Sequence, residues 1–244
     1  ADETPEGRFH VSMQLGRLAM RDGVSITPFS MDLTGVGERP ATLSLSGALA
    51  LDRNAGSPGA PIGANIVAVP EGRRLTLTAA DAGLLMRGLF AFESMRNGAL
   101  NATAILPGRA TDTSDGKAPD FTGTLTVTKF SMVNQSLLAR LFSAGSLTGM
   151  GDLMGGEGMT LDSLVLPFSS RNNVISVNGA RVAGPAIGAS ADGYIDRPKC
   201  QIALKGSLVP IFGLNSIISN VPLLGDILAS RKGERIFGVT YSLS

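Results

Sequence analysis

Tryptophan is absent from this 244-residue chain, and cysteine and histidine occur once each, as Cys200 and His10. A single cysteine forms no intrachain disulfide, so a disulfide-stapled scaffold is excluded. Zinc normally takes three or four protein ligands, and no His or Cys stands near His10 at ligand spacing, so His10 reads as a bystander in a strand and no metal site is expected. Cys200 has no base assignable to it and reads as a small strand residue rather than a nucleophile. Charge is also scarce. Asp, Glu, Lys and Arg make up 17% of the residues, against about 25% in ordinary soluble domains. The 21 basic and 20 acidic side chains nearly cancel, which leaves no electrostatic footprint for nucleic acid.

Catalytic signatures are missing as well. There is no Gly-x-Ser-x-Gly elbow and no Gly-x-x-x-x-Gly-Lys-Ser/Thr loop. Gly149 and Gly151 begin like a dinucleotide fingerprint, but the third glycine comes one place late, at Gly155, after a helix-like rather than a strand-like segment. The stretch Asp112–Gly116 has too few carboxylates for a calcium loop and reads as a polar turn. No catalytic residue and no cofactor are expected. Residues 1–10 lack the basic and apolar regions of a signal peptide. Starting at Ala1 and stopping within a strand-like segment at Ser244, the chain reads as part of a longer protein.

What is present is glycine, 31 residues, and a period of two. In Ala41–Asp52, Leu43, Leu45, Leu49 and Leu51 alternate with small and hydroxyl side chains. In Arg73–Ala79, Leu75 and Leu77 alternate with Thr76 and Thr78. In Phe121–Phe130, Phe121, Leu125 and Val127 alternate with threonines. Val11–Leu18, Ile62–Val69, Leu100–Leu106, Leu161–Phe168, Val174–Val182, Ile187–Ile195, Ile202–Leu208 and Ile236–Leu243 share the texture. Successive side chains of a strand face opposite ways, so each segment has one apolar and one Ser/Thr face. Turns are expected at Asn54–Gly56, Pro70–Gly72, Asn97-Gly98, Arg171–Asn173 and Asp196–Pro198. Ten or so strands on short connections imply an antiparallel sheet. The pattern suits a β-sandwich core and an open groove equally.

Four segments carry a helical stripe instead. They are Asp81–Phe92, with Asp81 as N-cap, Asn134–Ala144, Ser146–Met154 and Gly213–Ser230. The last carries Leu214, Ile217, Ile218 and Val221, then Leu224, Ile227 and Leu228 beyond Pro222. These side chains either plug the end of the sheet or lie on a membrane surface. A membrane span over Leu208–Leu228 is rejected, because Pro210, Asn215, Asn220, Pro222 and Asp226 interrupt it. The polar stretch Gly108–Pro119 is the best loop. It divides the chain into a strand-rich segment, 1–107, and a second segment, 120–244, with most of the helical stripes.

The strings Leu204–Leu228 and Gly238–Tyr241 resemble the closing signature of AsmA-like C-terminal domains, of the AsmA/YhdP/TamB superfamily. Leu137–Gly149, Gly155–Asp162, Gly179–Gly188 and Asp81–Arg87 are similar to that family in the same order. The likeness covers roughly residues 70–244. It implies a mainly β fold with short helices near the C-terminal end, in which a long curved antiparallel sheet forms an apolar groove, a β-taco. It also implies a periplasmic segment of an envelope lipid-transfer protein, anchored in the inner membrane by a part outside this chain. Phospholipid would be the partner, with the outer-membrane leaflet or envelope proteins as further contacts. Leu43, Leu45, Leu75, Leu77, Leu125, Val127, Ile202 and Leu204 are the candidate groove residues. An assembly scaffold binding outer-membrane proteins, without lipid transport, is the alternative.

Overall fold

The computed structural model describes residues 7–37, 39–52, 58–107, 120–133, 158–185, 187–196, 198–199, 201–210 and 239–243. The strands are β1 (Arg8–Leu15), β2 (Leu18–Ala19), β3 (Val24–Val36), β4 (Arg39–Leu51), β5 (Ala60–Val69), β6 (Gly72–Ala79), β7 (Met95–Leu106), β8 (Phe121–Met132), β9 (Met159–Arg171), β10 (Val174–Ala183), β11 (Ile187–Asp196), β12 (Gln201–Pro210) and β13 (Val239–Leu243). One helix, α1 (Ala82–Phe90), stands between β6 and β7. All described strands join one sheet, in the order β1-β3-β4-β5-β6-β7-β8-β9-β10-β11-β12-β13, with β2 also pairing β3. Every pairing is antiparallel. The sheet is curved and unclosed, with β1 at one edge and β13 at the other. At about 4.8 Å per strand it spans on the order of 50 Å. It runs unbroken from β7 to β8, with Ile105 opposite Thr122.

No second sheet packs on the first among the described residues, so the sandwich is not what the alternation builds. The strands that the alternation predicts all form. Three details differ from expectation. The strand Val24–Val36 has no clean period of two, because a register shift between Ile26 and Phe29 moves its apolar residues out of step. Asn97 and Gly98 do not make a hairpin turn. They lie inside β7 with φ of 57° and 91°, and this irregularity faces Lys129, whose φ is also positive at 54°. The register with β8 is kept on both sides, so the left-handed backbone that a tight turn uses is here accommodated inside a strand, which is why the dipeptide misleads. Third, the described helix is not near the C-terminal end. It is the Asp81–Phe92 segment, and the stripes at 134–144, 146–154 and 213–230 lie outside the described residues.

Helix α1 starts where expected. The Asp81 carboxylate accepts from the Leu84 N–H at 2.9 Å, satisfying an orphan donor of the first turn. The helix buries Ala82, Gly83, Leu85 and Gly88. Gly83 permits this approach, since a Cβ there would stand 2.7 Å from the Met95 carbonyl oxygen and 2.8 Å from the Arg96 Cα. Arg87 fastens the outer side, with its Nε donating to the Asp22 carbonyl at 3.1 Å and its guanidinium 3.0 Å from Glu93.

Candidate functional site

Register pairs place directly opposite residues on the same face of a sheet. One row therefore runs Val11, Leu33, Leu43, Ile66, Leu75, Ala104, Gly123, Phe168, Val177, Gly193 and Leu204, crossing the sheet from β1 to β12. A parallel row runs Leu15, Phe29, Gly47, Ile62, Ala79, Leu100, Val127, Leu164, Val182 and Ala189. Between them stand Met13, Met31, Leu45, Ala64, Leu77, Ala102, Leu125 and Leu166. All eight candidate groove residues fall on this one face, with Ile202 opposite Ile195 on its β12 margin.

The opposite face is hydroxylated. Thr42, Ser44 and Ser46 are exposed where Leu43 and Leu45 are half-buried. Thr34 and Thr42 share a hydroxyl hydrogen bond of 2.6 Å, Ser190 and Ser207 one of 2.9 Å, and Thr126 donates to the Asn101 carbonyl. His10 also stands here, 2.9 Å from the Asp32 carboxylate. Among the described residues, no three His, Cys, Asp or Glu side chains gather as metal ligands. Cys200 lies outside the described residues. On the β11–β12 turn, the Lys199 side chain, 3.0 Å from the Asp196 carboxylate, and the Lys199 N–H hold that carboxyl below its ordinary range.

Among the described residues no second sheet covers the apolar face of this curved sheet. Small residues stand opposite large ones on it. Phe9 lies opposite Gly35, Phe29 opposite Gly47 and Phe168 opposite Gly123. A Cβ on Gly123 would stand 2.7 Å from the Phe168 ring. Phe121 meets the same ring edge-on at 6.0 Å between centroids. Large groups thus stand opposite glycines along the apolar rows.

The two ends of the strands differ. Where α1 lies, Val24, Leu49 and Val127 are fully buried and Leu85 is 2% exposed, with Leu100, Phe130 and Leu161 in the same cluster. This is a sealed core. Val127 belongs to it and not to the open part of the face. Toward the other end, Leu43, Leu45, Leu75, Leu77, Leu125 and Leu204 are half-buried. At the margins Val11, Met13 and Leu15 are 37–39% exposed and Ile202 is 50% exposed. The result is a trough, sealed where α1 lies and half-buried toward the other end, where Ile66, Ala104 and Val177 are still buried between the leucines. The residues Leu214, Ile217, Ile218, Val221, Leu224, Ile227 and Leu228 lie outside the described residues.

One polar residue of the trough escapes the sequence pattern. Arg73 sits in apolar register, opposite Ala68 and Leu106. Extending the alternation of Leu77 and Leu75 back by one step would have found it. Among the described residues no helix is long and apolar enough to cross a membrane. The chain matches no family model, no curated protein and no solved structure.

Proposed function

We propose that this chain holds phospholipid acyl chains in its apolar trough, as a periplasmic segment of an AsmA-like envelope lipid-transfer protein working between inner and outer membranes. The observation that carries the reading is the unbroken apolar row from Val11 to Leu204, on a face that no second sheet covers among the described residues. Hydrocarbon in water is costly. At roughly 0.8 kcal/mol per buried methylene, a chain of about sixteen carbons is worth on the order of 10 kcal/mol when covered. A long apolar surface supplies that cover, and the half-exposed leucines gain from it too. Leu, Ile and Val side chains grip hydrocarbon without directional bonds, so a lipid can slide along the rows. The hydroxylated outer face suits an aqueous compartment. Family likeness in the quoted strings adds the envelope setting.

The test is direct. The purified chain is extracted with organic solvent and the extract is read by mass spectrometry. Phospholipid in near-stoichiometric amount is the expected result. A protein that is folded, free of lipid and unable to take it from vesicles overturns the reading. A scaffold role is the second reading, favoured by the β1 edge, which pairs with β3 alone among the described strands and leaves Val11, Met13 and Leu15 exposed. It predicts a stable protein partner on crosslinking, and no lipid.

A further inference from the structure

We propose that Arg73 binds the phosphodiester anion of a lipid lying in the trough, so that the site prefers anionic over zwitterionic head groups. This rests on the lipid reading above and adds a head-group site to it. Arg73 is the one charged side chain within the regular apolar rows of the described strands, one register step beyond Leu75 toward the open end. Its guanidinium donates to the Pro40 carbonyl and, at 3.0 Å, to the Pro107 carbonyl. That fork holds the side chain between the start of β4 and the end of β7. Both acceptors are neutral. No carboxylate among the described residues pairs with Arg73, and its Nε is buried without an acceptor. Guanidinium carries five N–H donors and stays charged at any relevant pH.

A half-buried cation beside hydrocarbon, with no counter-charge among the described residues, favours an anion more than a surface cation does, because less water screens it. A phosphodiester is the anion that arrives attached to acyl chains. With its chains against the half-buried Leu77 and Leu75 along β6, its head group falls at the open end, beside Arg73. There the remaining terminal N–H groups of Arg73 are the nearest charge in the apolar rows. A zwitterionic head group brings its own ammonium, which competes with the guanidinium. A net-anionic head group brings none.

The experiment uses the full chain and vesicles in which labelled phosphatidylglycerol or phosphatidylcholine is the minor component. Bound lipid is extracted and counted. The expected result is a roughly fivefold preference for phosphatidylglycerol, about 1 kcal/mol. The preference falls to parity in Arg73→Gln while total acyl loading is kept, and it survives in Arg73→Lys. It also shrinks as salt is raised in the unaltered chain, a reading that needs no variant to fold. The proposal is overturned by an unaltered chain without preference, by a preference that salt does not touch, or by Arg73→Gln keeping the original ratio. It is overturned also if Arg73→Lys falls with Arg73→Gln, since the fork to Pro40 and Pro107 is then the whole role. Loading of both lipids with no dependence on Arg73 removes this inference alone. Loading of neither removes the trough reading as well.

Discussion

Leu49 and Leu43 stand on the same face of the same strand, yet one is sealed from water and the other half-open to it. Val127 and Leu125 repeat the contrast on β8. The strand pattern is identical at both ends, so the strand does not decide the difference. Helix α1 contributes to it: its Leu85 shares one buried cluster with Val24, Leu49 and Val127, whereas Leu45 and Leu125 only pack against that cluster and Leu43 is half-buried. Full burial is concentrated at the sealed end, and half-buried apolar surface is left at the other.

The contrast can be broken by substitution. The largest effect belongs to Val127→Asp, which strands an unpaired charge in a closed core. It should cost on the order of 4 kcal/mol or more and leave little folded protein by urea titration. Leu49→Ala should cost about 2–5 kcal/mol in the same assay, while Leu43→Ala costs about 1 kcal/mol. Equal losses at Leu49 and Leu43 would abolish the distinction between the two ends.

Next in size is the helix itself. Gly83→Ala pushes a methyl against the Met95 carbonyl and the Arg96 backbone, and should destabilise by about 1–3 kcal/mol. Asp81→Ala removes the cap on Leu84 and should cost about 1 kcal/mol. Both should raise amide exchange over Val24 and Leu49 before they touch Leu43. At the open end, Leu45→Asp and Leu125→Asp should keep the fold, read by circular dichroism, and lower bound phospholipid several-fold. Full loading in both folded variants would mean that lipid lies elsewhere.

The smallest effect is a pH dependence. The folded carboxyl of Asp196 titrates below its ordinary value because Lys199 favours its charged form. Its contribution is therefore present above the unfolded pKa and lost as pH falls through the lowered folded one. The stability gap between the unaltered chain and Asp196→Asn should shrink over that acidic window and stay constant above it. A gap that widens with acid would contradict the Lys199 pairing.

Much of this was legible in the residues. Leu43 to Leu51 alternate cleanly because β4 runs without a break there, and Asp81 announces its helix because a carboxylate at an N-cap has a local partner. Legibility fails where the backbone departs from regular geometry. The step between Ile26 and Phe29 hides β3, and left-handed residues inside β7 imitate a turn at Asn97-Gly98. Arg73 escaped because a charge on an apolar row breaks the pattern by which rows are recognised.

The order of side chains along the chain was enough to make each strand two-faced, since neighbouring residues of an extended backbone must point to opposite sides. It could not say whether two such faces would close on one another, nor which leucines would be sealed. Those outcomes depend on groups far apart in sequence. Leu85 reaches Leu49 and Val127 only once the sheet has curled and α1 has been laid across its end. Burial belongs to the assembled neighbourhood, and that is why the tertiary structure alone divided one apolar face into a core and a trough.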